Sequence, residues 1–266
     1  MTMTSYLGIV AAVLYLVSTS IVWQQLRCQH PTRRALFVLT SVLAVCAHGA
    51  YLYEKLVFAD GIYLGFFPMA SIIAGTGAAI VTLASLYRRL EWVSALVFPL
   101  SIVFIFPLLW LPTVQPSLLM PYSMGIHVLL SVLAVALFTT AAAQALLLLF
   151  QHKQLKRGRF GGPLSSFPPM ETMETMLFEL LWATFLLLTA TIATGFLYLD
   201  DLFAQHVAHK TLLTIAAWAL LAILLSGRHL FGWRALRAIR LTLLGFTVLV
   251  VAFFGSQFVL QYVVAV

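Results

Sequence analysis

Eight times along this chain an apolar run of about twenty residues occurs, long enough to cross ~30 Å of hydrocarbon as a helix. The runs lie near 5–26, 35–57, 64–87, 92–111, 122–150, 175–199, 209–227 and 238–263. A segment in lipid must satisfy its own backbone N–H and C=O groups, which leaves helices or a closed barrel. A barrel requires ~10-residue stretches of alternating polarity, and these runs are continuous. The expected fold is therefore all-α, a polytopic membrane protein built as a bundle of about eight transmembrane helices. Composition agrees, since only 9% of the 266 residues are charged against about 25% in a soluble domain.

The net charge of +7 is a topology signal rather than a nucleic-acid signal. Thirteen of the fifteen Lys and Arg residues fall in the connections after runs 1, 3, 5 and 7 or at their borders. The other two, Lys55 and Lys210, share the opposite side with Asp60, Asp200 and Asp201. Positive charge marks the cytoplasmic face, so both termini are expected outside. The first run has no positive n-region and no small-residue cleavage site, so it is read as a retained helix rather than a signal peptide. Cys28 and Cys46 form no CxxC pair, and CxxCH is absent, which gives no thiol metal site and no covalent c-type haem on this chain.

One connection is long, the basic and Gly/Pro-containing stretch 151–174, expected as a cytoplasmic loop between two four-helix halves of a single domain 1–266. Glu171, Thr172, Glu174 and Thr175 suit the start of the following helix as caps and first-turn charges. The external connections leave no room for a soluble catalytic domain. Aromatics near run ends, Trp23, Trp92, Trp110 and Trp233 among them, read as interfacial anchors. The small residues of "SIIAGTGAAIVTLAS" read as a close helix-packing face.

Ionisable groups inside spans point to function. At 1.5 Å per helical residue, His48 lies roughly 13 Å below the outer interface and His127 about 8–13 Å below it. The two imidazoles thus share a layer on different helices, with His209 at the outer boundary just above. His229 lies twenty residues beyond His209, roughly 30 Å away along one helix. His30, His152 and His206 read as solvated loop residues. The bland reading of His48 and His127 is a neutral imidazole hydrogen-bonded between helices. Two at matching depth without neighbouring carboxylates favour a shared iron over a proton path, and zinc would require a third or fourth ligand. Neutral imidazole is a common haem-iron ligand, and apolar walls suit the macrocycle.

The C-terminal stretch "HKTLLTIAAWALLAILLSGRHLFGWRALRAIRLTLLGFTVLVVAFFGSQFV" resembles the last spans of the cytochrome c assembly family, the CcsA/CcmC/CcmF-type haem-handling membrane proteins. The matching residues are Lys210, Trp218, His229, Trp233-Arg234 and Phe254-Gly255. His127 in "GIHVLLSVLAVALF" and His48 in "CAHGAYL" fall where the family places histidines, and the overall pattern is similar to its YpjD/HemX-like inner-membrane branch. The resemblance implies haem binding in the bacterial inner membrane. His48, His127, His209 and His229 are the cofactor-binding candidates, His48 and His127 the iron ligands, and haem b the cofactor. The implied partners are haem, membrane lipids and other cytochrome assembly or haem-synthesis proteins. The tryptophan-rich WWD segment of the family's ligases is missing from "FLYLDDLFAQHVAHK", as is a second external histidine after the final span. Haem handling is therefore expected without ligation, and no catalytic residue is assigned. The alternatives are a small-molecule transporter and a membrane regulator of a tetrapyrrole-synthesis enzyme.

Overall fold

A computed structural model describes residues 3–28, 34–58, 61–88, 90–110, 119–120, 125–158, 167–198 and 208–255. Eight helices follow in chain order: α1 (Met3–Cys28), α2 (Arg34–Leu56), α3 (Phe66–Tyr87), α4 (Ser94–Trp110), α5 (Gly125–Lys156), α6 (Met170–Tyr198), α7 (Ala208–Phe231) and α8 (Leu236–Val250). A 3₁₀ turn, Glu91–Val93, precedes α4, and a π-helical segment, Val251–Gly255, continues α8. With these extensions, eight segments are long and apolar enough to cross a membrane, and the all-α polytopic architecture expected from the sequence is the one observed.

Two details were not anticipated. Val57–Phe58 (β1), Gly61–Tyr63 (β2) and Leu119–Met120 (β3) pair antiparallel in the order β1-β2-β3, with Val57 opposite Ile62 and Ile62 opposite Met120. Pairings this short carry no hydropathy period. Also, α5 runs to Lys156 and α6 starts at Met170, so both helices enter the stretch 151–174 read as loop. Charged helical turns can project beyond the hydrocarbon, so a hydropathy boundary marks the lipid edge and not the end of the helix.

The chain divides into two compact units, one formed by residues 1–121 with 150–169 and the other by 122–149 with 170–266. In the first unit α1 packs on α2 and α4, and α3 packs on α2 and α4. Hydroxyl side chains in the apolar helices meet their needs locally. Thr40 and Ser85 donate to the carbonyls of Leu36 and Val81, four residues back. This back-bonding hides a polar group inside its own helix. Longer-range ties join the helices as well: Ser18 Oγ donates to Thr40 Oγ1 at 2.8 Å, and Ser101 Oγ to the Ala74 carbonyl at 3.0 Å.

At the other end of this unit Arg34 opens α2. Its Nε lies 3.4 Å from Glu91 Oε1, and its Nη2 donates to the Ser85 carbonyl at 2.9 Å. Glu91 is only 5% exposed, so this guanidinium compensates a sheltered carboxylate and also closes the end of α3. Beside it Trp92 is buried, which corrects its reading as an interfacial anchor. The 3₁₀ turn rotates it inward, whereas Trp23 and Trp110 are exposed as expected.

In the second unit α7 packs on α6 and α8. Trp218 Nε1 donates to Thr189 Oγ1 at 2.8 Å, and its ring stacks on Phe185 with centroids 5.4 Å apart. Phe138 of α5 meets Phe246 of α8 edge-on at 5.8 Å. Gln144 donates to the Met173 carbonyl at 3.0 Å. Of the polar residues expected to cap and charge the start of α6, Glu171 lies in its first turn as expected, while Glu174 and Thr175 lie further in. Thr175 donates to the Glu171 carbonyl, and Glu174 pairs with Arg228 and Arg234.

Candidate functional site

Each candidate histidine has its own surroundings. His48, on α2 in the first unit, is 1% exposed. Its Nε2 lies 3.0 Å from Ser71 Oγ of α3 and its Nδ1 3.4 Å from Tyr15 Oη of α1. The Tyr15 ring stands edge-on to the imidazole at 85° and leans on Phe98. Gly75 makes the position possible, because a Cβ there would lie 2.9 Å from His48 Cε1. The small-residue stretch of α3 thus admits a polar ring as well as a neighbouring helix. Both ring nitrogens face hydroxyls, so the ring ties three helices together.

His127 lies near the start of α5 in the second unit and is half-buried. Its Nδ1 is 3.1 Å from Thr194 Oγ1 of α6. The hydroxyl proton of Thr194 is committed to its own helix, toward the Ala190 carbonyl at 2.9 Å and the Thr191 carbonyl at 3.0 Å. With that proton kept on α6, Thr194 would accept from the imidazole, which would place the hydrogen on Nδ1 and leave the Nε2 lone pair. That is the tautomer a metal-ligating histidine takes when a second group fixes its ring. Lys210, in the first turn of α7, is within electrostatic reach of His127, and its ammonium sits 4.3 Å from the centroid of the Phe253 ring.

His209 is exposed beside Lys210, and His229 is exposed near the opposite end of α7. Twenty residues on one helix separate these two by roughly 30 Å, so no single ion takes both. His152 is partly exposed near the end of α5. His30, His206 and the loop stretch 199–207 that lacks tryptophan fall outside the described residues. Among the described residues no three His, Cys, Asp or Glu side chains gather as a metal site. Thr194, Tyr15 and Ser71 were missed as imidazole partners in the sequence. A hydroxyl inside an apolar run is the only trace they leave, and such hydroxyls are common.

The cytochrome C assembly protein family matches residues 6–264. The chain belongs to this family. Among its relatives, the inner membrane protein YpjD of Escherichia coli K12 is 27% identical over 264 residues, covering 96% of this chain and 98% of that protein. A 28.8 kDa protein from the nifR3-like 5′ region of Azospirillum brasilense is 36% identical over 137 residues, half of each chain. No solved structure matches the chain. The matched residues 6–264 include both His48 and His127.

Proposed function

We propose that this member of the cytochrome c assembly family binds and handles haem b in the bacterial inner membrane, with His127 Nε2 as an iron ligand. The family is haem-related, and the E. coli relative is an inner membrane protein. The observation that carries the reading is the Thr194 hydroxyl 3.1 Å from His127 Nδ1, a contact that holds the ring and leaves Nε2 for a ligand. Haem, when bound, would supply iron for axial ligation and a large apolar ring. The chain's own residues would contribute the imidazole nitrogen and its orientation through Thr194. The sequence also marked His48 as the other ligand. To ligate iron, its Nε2 would have to give up the Ser71 hydroxyl 3.0 Å away. The test is a visible spectrum of gently purified, dithionite-reduced protein, where sharp α and β bands are the expected result. A blank spectrum after haem supplementation returns both histidines to interhelical bonding and favours the transporter alternative.

The basic ends of the helices give the orientation we propose, with both termini outside. A reporter fused after Val266 is expected to be active only outside, and one inserted at 159–166 only in the cytoplasm. A cytoplasmic reading after Val266 would place His48 and His127 in the wrong leaflet.

Without a tryptophan-rich presenting segment, the protein is proposed not to attach haem to apocytochromes. Expressed in a strain lacking its cytochrome c synthase, it is expected to leave covalent haem staining of c-type cytochromes at background. Restored staining would overturn that reading.

A further inference from the structure

The turn between α7 and α8 builds a small pocket lined by two arginines, Arg228 and Arg234. Gly232, at φ 63°, donates its N–H to the Arg228 carbonyl at 3.1 Å, and the Trp233 N–H returns to the Gly227 carbonyl at 3.2 Å. This lays the Trp233 ring on Gly227, where a Cβ would meet the ring at 2.3 Å. Ala235, at φ 50°, turns the chain again into α8. Between the two reversals lies an open cavity of about 330 Å³ lined by Arg228, Gly232 and Arg234.

The charges around it are unequal. Glu174 of α6, with its side chain 12% exposed, holds Arg228 and lies 3.7 Å from Arg234 Nε. Arg228 is further fixed over the Phe178 ring at 3.9 Å. Glu171, 3.9 Å from Arg234, is 84% exposed and therefore well screened. Arg237 stands over Trp233 at 5.9 Å. Two carboxylates, only one of them sheltered, thus face Arg228 and Arg234, with Arg237 as a third guanidinium on the neighbouring turn. On the adjoining turn Leu230 and Phe231 are 71% and 74% exposed. Guanidinium forks suit the oxygens of a phosphate, and the exposed Leu230 and Phe231 at the end of a membrane span suit an acyl chain. Basic pockets between transmembrane helices bind lipid headgroups in this way.

We propose that the α7–α8 turn is a binding site for the headgroup phosphate of an anionic phospholipid, held by Arg228 and Arg234. The test is native mass spectrometry of the full chain released from micelles containing equimolar dioleoyl phosphatidylglycerol and dioleoyl phosphatidylcholine. The wild-type protein is expected to retain phosphatidylglycerol preferentially. Arg234→Gln should lower that preference about fivefold. Glu171→Gln, at an exposed site with little bearing on folding, should raise it, so the proposal stays testable if the arginine variant fails to fold. Arg157→Gln, on a different basic stretch, should leave it unchanged. Equal retention of the two lipids, no change in either pocket variant, or an equal loss in Arg157→Gln would each overturn the proposal. Complete displacement of phosphatidylglycerol by millimolar inorganic phosphate would assign the pocket to a soluble anion and overturn the lipid assignment.

Discussion

Replacing His127 with alanine is expected to abolish the low-spin haem spectrum of the purified protein while membrane insertion and yield stay near wild type. The ring is half-buried, so truncation opens little core, and its partner Thr194 retains its bonds to the Ala190 and Thr191 carbonyls. Thr194→Val is the more discriminating variant. It keeps the volume of the side chain, removes the acceptor at Nδ1, and frees the ring to turn or to change tautomer. Loss of such an orienting partner costs about tenfold or more in metal affinity, so haem should still bind but wash out at concentrations that leave the wild type loaded. A structural role for the hydroxyl alone would lower the melting temperature without changing haem retention. His48→Ala reports on the second axial position. A shift to a high-spin, five-coordinate spectrum makes His48 a ligand, whereas an unchanged spectrum with a lower melting temperature leaves it as the tie between α1, α2 and α3. His152→Ala, near the end of α5, should change nothing in the spectrum.

Arg34→Met is expected to destabilise the first unit by about 3 kcal/mol, on the scale of leaving a sheltered charge without its partner. The arginine is partly exposed, yet Glu91 is not, and a carboxylate 5% exposed cannot recover its lost partner with water alone. The Ser85 carbonyl at the end of α3 loses its donor in the same substitution. Thermal unfolding in detergent reads the effect as an earlier transition. Adding Glu91→Gln to Arg34→Met should recover part of the loss, because the second change removes the stranded charge. Such non-additivity is the signature of a coupled pair. Simple addition of the two single effects would mean that the ion pair contributes nothing and that Arg34 acts only as a cap.

The sequence by itself determined the membrane class, the eight spans, the family and the residues worth suspecting. Hydropathy and backbone satisfaction in lipid are local properties, legible in runs of about twenty residues. The charge pattern is equally local, and so is the ordered set of residues from Lys210 to Gly255 that carried the resemblance. Only the tertiary structure decided what each suspect touches. The partners of His48 lie 33 and 23 residues away in the chain, and that of His127 lies 67 away. No spacing rule within one helix reaches across such separations. Trp92 was misread for the same reason, since an aromatic at the end of an apolar run is an anchor or a core residue according to which way one 3₁₀ turn faces. The contact of His127 Nδ1 with Thr194 depends on the packing of α5 on α6, and the pocket lined by Arg228 and Arg234 depends on two chain reversals at Gly232 and Ala235. A linear pattern records which groups are present, while donor direction, burial and enclosure arise only when distant helices pack.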